Sequence, residues 1–275
     1  MKRVFMLSLA LALWGLPGRG ASLYEQSVQD ADTEVEFLDE TFQSVRGRPP
    51  RSLREDFCGT ATVACKWVEA DESHTAIGVD LDPEVLAWGR VHNLGKMPEQ
   101  ARERVELIQG DVLESPGRDL DIVTAMNFSY WTFKERPNLL QYFRSARQAL
   151  AKDGLFLIDV YGGSDAYETM TEKRKVKNFT YIWDQVDYDP ISGHAECAIH
   201  FKFKDGSRLQ NAFSYRWRLW SLPEIRELLD EAGFSRITVL WQGTDEETGE
   251  GNGEFLPAER GENDPAWIAY VQAEP

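Results

Sequence analysis

The chain has little of what most catalytic and metal-binding signatures require. Its 275 residues include three cysteines and four histidines. Cys58 and Cys65 lack a C-x-x-C spacing, and His194, Cys197 and His200, spaced by threes, fall on alternate faces of a strand, so no metal site is expected. His74 and His92 are expected as surface or helix-packing residues, not bases. No Ser-His-Asp set, phosphate loop, internal repeat or proline-rich linker is present. Positive charge is also scarce. Thirty Lys and Arg against 46 Asp and Glu leave a net charge of −16, which argues against a nucleic-acid partner, since such proteins present a basic footprint.

What is present is a series of short apolar strands that end in carboxylates. Leu53-Arg54-Glu55-Asp56-Phe57-Cys58-Gly59-Thr60-Ala61 reads as a strand, a tight turn and the start of a helix. About twenty residues later Ile77-Gly78-Val79-Asp80-Leu81-Asp82 reads as a second strand with an acid at its end. This is the layout of a nucleoside-binding crevice at the carboxyl edge of a parallel sheet, where turn N–H groups approach the ligand and an acid accepts the ribose hydroxyls. Gly59 is the only glycine in the turn, whereas close approach to a pyrophosphate needs several, so a dinucleotide is disfavoured. A third strand ends at Gly110-Asp111-Val112. A fourth, Leu120 to Met126, runs into Asn127-Phe128-Ser129-Tyr130-Trp131, and a fifth is Gly154 to Tyr161.

The first segment resembles motif I of the class I S-adenosylmethionine-dependent methyltransferases, an acid, one residue, then Gly-Cys-Gly-Thr-Gly. Glu55 falls on the acid, and Cys58, Gly59 and Thr60 match, while Phe57 and Ala61 replace the outer glycines. The resemblance implies S-adenosyl-L-methionine as cofactor, with Glu55, Phe57, Cys58, Gly59, Asp80, Leu81, Asp111, Val112 and Asn127 around it. It places Asp80 on the ribose and Asp111 on the adenine amine. Phe128, Tyr130, Tyr161, Tyr215 and Trp217 would line the substrate side. Asn127-Phe128-Ser129-Tyr130 also resembles loosely the Asn-Pro-Pro-Tyr signature of amino-group methyltransferases, without its prolines. The implied reaction is in-line displacement at the sulfonium methyl group, driven largely by alignment, with a small molecule as acceptor. A cofactor-binding module without catalysis and an aminopropyltransferase on the same fold remain as alternatives.

The expected fold is an α/β, doubly wound, Rossmann-like sheet of seven strands, mostly parallel with the last strand antiparallel, carrying a small antiparallel β insert. N-terminal helices span 22–50, the cofactor-binding core 51–161, a β-meander cap 162–220, and the rest of the core 221–275. Within the last part, Leu222-Pro223-Glu224 opens a helix that Ala232-Gly233-Phe234 closes. Ile237 to Trp241 and Trp267 to Val271 resemble the family's antiparallel sixth and seventh strands. The insert reads as three strands between Asn178 and Trp220. Phe213, Tyr215 and Trp217 lie on one face and Ser214, Arg216 and Arg218 on the other, either as simple packing or as a lid over the acceptor. Thr244 to Asp264, rich in Glu, Asp and Gly, reads as a long solvated connection. Lys2-Arg3, the apolar run Val4 to Leu16 and the small residues after it resemble a secretory signal peptide, too short to cross a bilayer. The cofactor is made inside cells, so a cytoplasmic protein is expected, with export as the alternative. The oligomeric state is not legible.

Overall fold

The computed structural model describes residues 17–28, 30–114, 117–245 and 251–275. The signal-like run from Val4 to Leu16 lies outside them. Helices α1 (Pro17–Ser27) and α2 (Ala31–Arg46) come first. Asp30 caps α2 by accepting from Thr33 N–H, and Gly47 closes it in the left-handed conformation at φ +65°. Of the residues at helical spacing, Val35, Leu38 and Phe42 are buried, while Phe37 is half-buried and stacks on Tyr270 at 4.1 Å.

The core then alternates strand and helix: β1 (Ser52–Asp56), α3 (Thr62–Ala70), β2 (Thr75–Asp80), α4 (Pro83–His92), α5 (Glu99–Arg102), β3 (Val105–Gln109), β4 (Leu120–Ala125), α6 (Arg136–Ala149) and β5 (Leu150–Gly162). Four more strands follow: β6 (Met170–Lys175), β7 (Phe179–Asp189), β8 (His194–Phe203) and β9 (Arg208–Arg218). Helix α7 (Leu222–Glu231) precedes β10 (Arg236–Thr244), β11 (Gly251–Pro257) and β12 (Trp267–Glu274).

The main sheet has the order β11-β10-β12-β5-β4-β1-β2-β3, with β6 to β9 in a separate four-stranded sheet. Strands β1 to β5 pair in parallel, so their carboxyl ends share one edge. One apolar cluster packs α2 and α3 on one face, and a second packs α6 and α7 on the other.

Three expectations change. The main sheet has eight strands and not seven, because the acidic stretch read as a solvated connection contains β11, which pairs antiparallel with β10. Strand β10 is not antiparallel to the core. It and β5 both run antiparallel to β12, so β10 shares the direction of β5. The insert has a fourth strand, β6, whose sequence Met-Thr-Glu-Lys-Arg-Lys carries no apolar alternation. Among the described residues no helix is long and apolar enough to cross a membrane.

Candidate active site

The turn after β1 keeps its glycine-like backbone without the glycines. Phe57 and Ala61 adopt φ +58° and +57°, beside Gly59 at +55°. A left-handed residue with a side chain costs about 1–2 kcal/mol, and local hydrogen bonds offset that cost. Cys58 N–H donates to the Val79 carbonyl at 2.9 Å, Ala61 N–H to the Cys58 carbonyl at 2.8 Å, and Gly59 N–H to Asp80 Oδ2 at 2.8 Å. Gly78 permits the close fit, because a Cβ there would lie 3.0 Å from the Cys58 sulfur. The Cys58 side chain is therefore buried in that packing, and only its backbone borders the turn. Phe57 points toward α6, edge-on to Tyr142 at 5.6 Å.

The expected acids divide by environment. Glu55 is buried and accepts from Ala64 N–H at 2.9 Å, tying β1 to the first turn of α3, and burial pushes its carboxyl well above the usual range. Asp80 sits where an acid can face a ribose. Its Oδ2 takes Gly59 N–H and its Oδ1 takes Asp82 N–H at 2.9 Å, while burial raises its pKa against those bonds. Asp111 is exposed and accepts from Leu113 N–H at 2.9 Å, Val112 is buried beside it, and Leu81 is 66% exposed at the end of β2. Leu81, Asp111 and Val112 thus stand together at the open ends of β2 and β3.

At the end of β4, Asn127 and Phe128 are both left-handed, at φ +61° and +57°. The carboxylate of Asp159, on β5, holds them there. Asn127 N–H and Phe128 N–H each donate to one of its oxygens at 2.8 Å, and the Tyr130 hydroxyl donates to the Asp159 carbonyl at 2.8 Å. Burial pushes the Asp159 carboxyl up to about 7. Phe128, Tyr130 and Tyr161 belong to an aromatic layer in which Phe128 meets Tyr161 at 4.8 Å and Trp131 meets Trp217 at 5.9 Å. Tyr215 and Trp217 project from β9 into the same layer, 2% and 1% exposed. The insert's aromatic face is therefore turned onto the strand ends, and its basic face outward.

Sequence reasoning missed four residues here. Asp159 was visible as an acid in the fifth strand, but its clamp on β4 is a long-range pairing. Glu34, on α2, is lifted to about 8 by burial and by the charges of Asp159 and Asp30, and it in turn raises Glu55. Glu25, on α1, accepts at Oε1 from the hydroxyls of Thr60 (2.7 Å) and Thr62 (3.0 Å) and from Asn93 Nδ2 (2.9 Å), fastening α1 to the turn. Arg54, fully buried, pairs with Asp56 at 2.9 Å, and the Tyr142 hydroxyl donates to the same carboxylate at 3.0 Å, bracing β1 from the α6 side. The helical and strand spacings contain no signal for the last three.

Two surface clefts flank α2. One of about 950 Å³ lies against β10 and β11 and one of about 580 Å³ against α3. Neither includes the strand ends, where Tyr24 of α1, Phe128, Tyr161 and the small sheet's aromatics form one apolar cluster. The chemistry-bearing residues gather at the strand ends, which makes these the candidate site. His74 and His92 stack on Trp67 and Trp88 at 4.0 and 4.2 Å as packing residues. Among the described residues no group of three His, Cys, Asp or Glu is placed to hold a metal.

A methyltransferase-domain sequence profile matches residues 56–158, from the motif turn through β5. A provisionally named methyltransferase of Geobacillus sp. (strain WCH70) is 23% identical over 230 residues, covering 81% of this chain and 90% of its own. An S-adenosylmethionine-dependent methyltransferase from Clostridium acetobutylicum ATCC 824 shares the fold at TM-score 0.65 and 16% identity, over 93% of this chain and 98% of its own. A sugar N-methyltransferase from Streptoalloteichus sp ATCC 53650 does so at TM-score 0.61 and 17% identity, over 95% and 96%. With the motif turn, the acid at the end of β2 and the strand order around them, these matches bear out the resemblance to the class I S-adenosylmethionine-dependent methyltransferases, with residues 56–158 as the methyltransferase domain.

Proposed function

We propose that this methyltransferase acts on a small molecule with an apolar body, and that a nitrogen of that molecule receives the methyl group. The observation that carries the reading is a set of orphaned donors in the aromatic layer, Trp131 Nε1 and two on the small sheet. Trp217 Nε1 and the Tyr181 hydroxyl are buried and have no hydrogen-bond partner among the described residues. Leaving a buried donor unpaired costs about 1–3 kcal/mol, and a ligand's polar atom placed there removes that cost. An apolar pocket with a few polar groups that fix orientation suits a small molecule. The net charge of −16 disfavours nucleic acid. Nitrogen is supported by the fold shared with a sugar N-methyltransferase and by the carboxylates Glu34 and Asp159, which favour positive charge. In this reading the segment 162–220 is the acceptor cap, and 51–161 with 221–275 is the catalytic core.

The residues fit S-adenosylmethionine. Asp80 and the turn at Gly59 suit the ribose side, and Leu81, Asp111 and Val112 the adenine. Glu55, Glu34 and Asp159, all shifted upward by burial, with Glu34 adding to the shift of Glu55 and Asp159 to that of Glu34, suit a molecule that carries a sulfonium and an α-ammonium. When bound, the cofactor supplies the methyl group on a cationic sulfur. The chain aligns the acceptor: Asn127 and Phe128, fixed by Asp159, set its distance from the strand ends. Phe128, Tyr130, Tyr161, Tyr215 and Trp217 exclude water. The nearby carboxylates stabilise the positive charge that develops on the accepting nitrogen.

Tyr181→Phe and Trp217→Phe test this, because they remove the small sheet's orphaned donors while keeping aromatic bulk. Acceptors are found by incubation with methyl-labelled donor and a metabolite extract. Each variant is expected to lose about tenfold or more in kcat/KM for the acceptor, with S-adenosylhomocysteine affinity unchanged. Full activity in both variants would make the aromatic layer packing alone.

A further inference from the structure

The outer face of the small sheet carries charge that the methyl-transfer reading does not use. Its register places Lys175, Thr180, Lys202 and Arg208 side by side across β6, β7, β8 and β9, with Lys173, Ile182 and His200 in the adjoining row. These residues line a cleft of about 490 Å³, in which Asp184 is the one carboxylate. Lys173, Lys175, Lys202 and Arg208 are exposed, and among the described residues none of the four is in an ion pair. Asp184 is already engaged, accepting from the Thr171 hydroxyl at 2.8 Å and facing His200 Nε2 at 3.4 Å.

The cleft is built by the backbone. Between the pairs Ile199–Phe213 and Phe201–Leu209 the ladder of β8 and β9 slips, with Asn211 left-handed at φ +47°. The freed Asn211 N–H donates to His200 Nδ1 at 2.8 Å, so the bulge is anchored to the cleft floor. That floor is buried, with Ile182 at 7% and His200 at 8% exposed. Charges over such a floor are less well screened than on open surface.

We propose that this face is a second ligand site, separate from the methyl-transfer crevice, for a small molecule with two or more phosphoryl groups. The cations form two pairs, Lys173 with Lys175 on β6 and Lys202 with Arg208 on β8 and β9. Strand β7 separates them, so they stand about 10 Å apart at the backbone, and flexible side chains converge on two linked phosphoryl groups better than on one. An extended polyanion would leave the cleft and meet the surface of a chain with net charge −16. A compact one is steered to this face by the same contrast.

The test is calorimetric titration of the full chain with inorganic pyrophosphate and with orthophosphate at matched ionic strength. The expected result is saturable one-to-one binding of pyrophosphate, at least about tenfold tighter than orthophosphate. The double variant Lys175→Glu/Lys202→Glu should weaken it at least about tenfold, with S-adenosylhomocysteine affinity unchanged. Arg208→Gln serves the same purpose if the double variant does not fold. Absent or non-saturable binding, equal affinity for the two anions, or equal affinity in a folded variant would each overturn the assignment. So would a concentration-dependent dimer, seen by light scattering and abolished by the variant in the absence of pyrophosphate binding, since a second copy would then cover the face.

Discussion

Asp80 and Asp82 stand two residues apart at the end of β2, and their hydrogen bonds separate their roles. Asp82 Oδ1 accepts from Glu84 N–H at 2.8 Å, an N-cap for α4. Its replacement by Ala should cost about 1 kcal/mol of stability and leave cofactor affinity intact. Asp80 gathers the motif turn through Gly59 N–H and keeps lone pairs free for two hydroxyls. A hydrogen bond to a charged group contributes about 1.5–3 kcal/mol, so Asp80→Ala should weaken S-adenosylhomocysteine binding by tens-fold or more in calorimetry. If Asp80→Ala and Asp82→Ala bind alike, Asp80 is a turn residue only. At this scale the sequence was informative where chemistry is local. Cys58, Gly59 and Asp80 fell where the spacing put them. The left-handed Phe57 and Ala61 were unreadable, because their backbone is imposed by Val79 and Asp80 from the neighbouring strand.

The elements that the sequence concealed share a physical cause, which is that pairing and not pattern forms them. Strand β6 is polar, four of the seven residues of β11 are Gly, Asn or Glu, and both are edge strands whose hydrogen bonds come from one neighbour. The parallel strands β4 and β5 were legible because burial on both faces demands near-continuous apolar runs, whereas β1, Ser-Leu-Arg-Glu-Asp, was legible only from the motif turn that follows it. Helix α1 is a further case, since its placement depends on Glu25 and on Tyr24, whose ring meets Phe213 of β9 at 5.0 Å. It therefore touches the motif turn on one side and the cap on the other, across the crevice. Glu25→Ala removes the acceptor shared by Thr60, Thr62 and Asn93. Amide exchange across residues 17–28 should then quicken, and S-adenosylhomocysteine should dissociate about tenfold faster or more. Unchanged exchange would mean that apolar contacts alone hold α1.

Across the whole molecule the acidic surplus is not merely solvated surface, for it extends to the candidate site. Glu34 and Asp159 are carboxyls raised to about 8 and about 7 from ordinary values of 4.5 and 3.8, Glu34 by burial with Asp159 as its first-named neighbour and Asp159 by burial. The folded protein without ligand therefore binds more protons than the unfolded chain between about pH 4 and 8. The free energy of unfolding falls as pH rises through that window, because the stability difference follows the difference in bound protons. A cation changes the balance. S-adenosylhomocysteine brings an α-ammonium that gains when these carboxyls ionise, so its stabilisation should grow over the same range. Melting temperature measured from pH 5 to 8 should decline for the free protein by several degrees and decline less with ligand present. Glu34→Gln should flatten the free-protein curve, because an amide has no proton to lose there, and should reduce the pH dependence of ligand affinity. Parallel curves with and without ligand, in the native protein and in Glu34→Gln alike, would remove Glu34 and Asp159 from the cofactor's surroundings and leave them as buried acids of the scaffold.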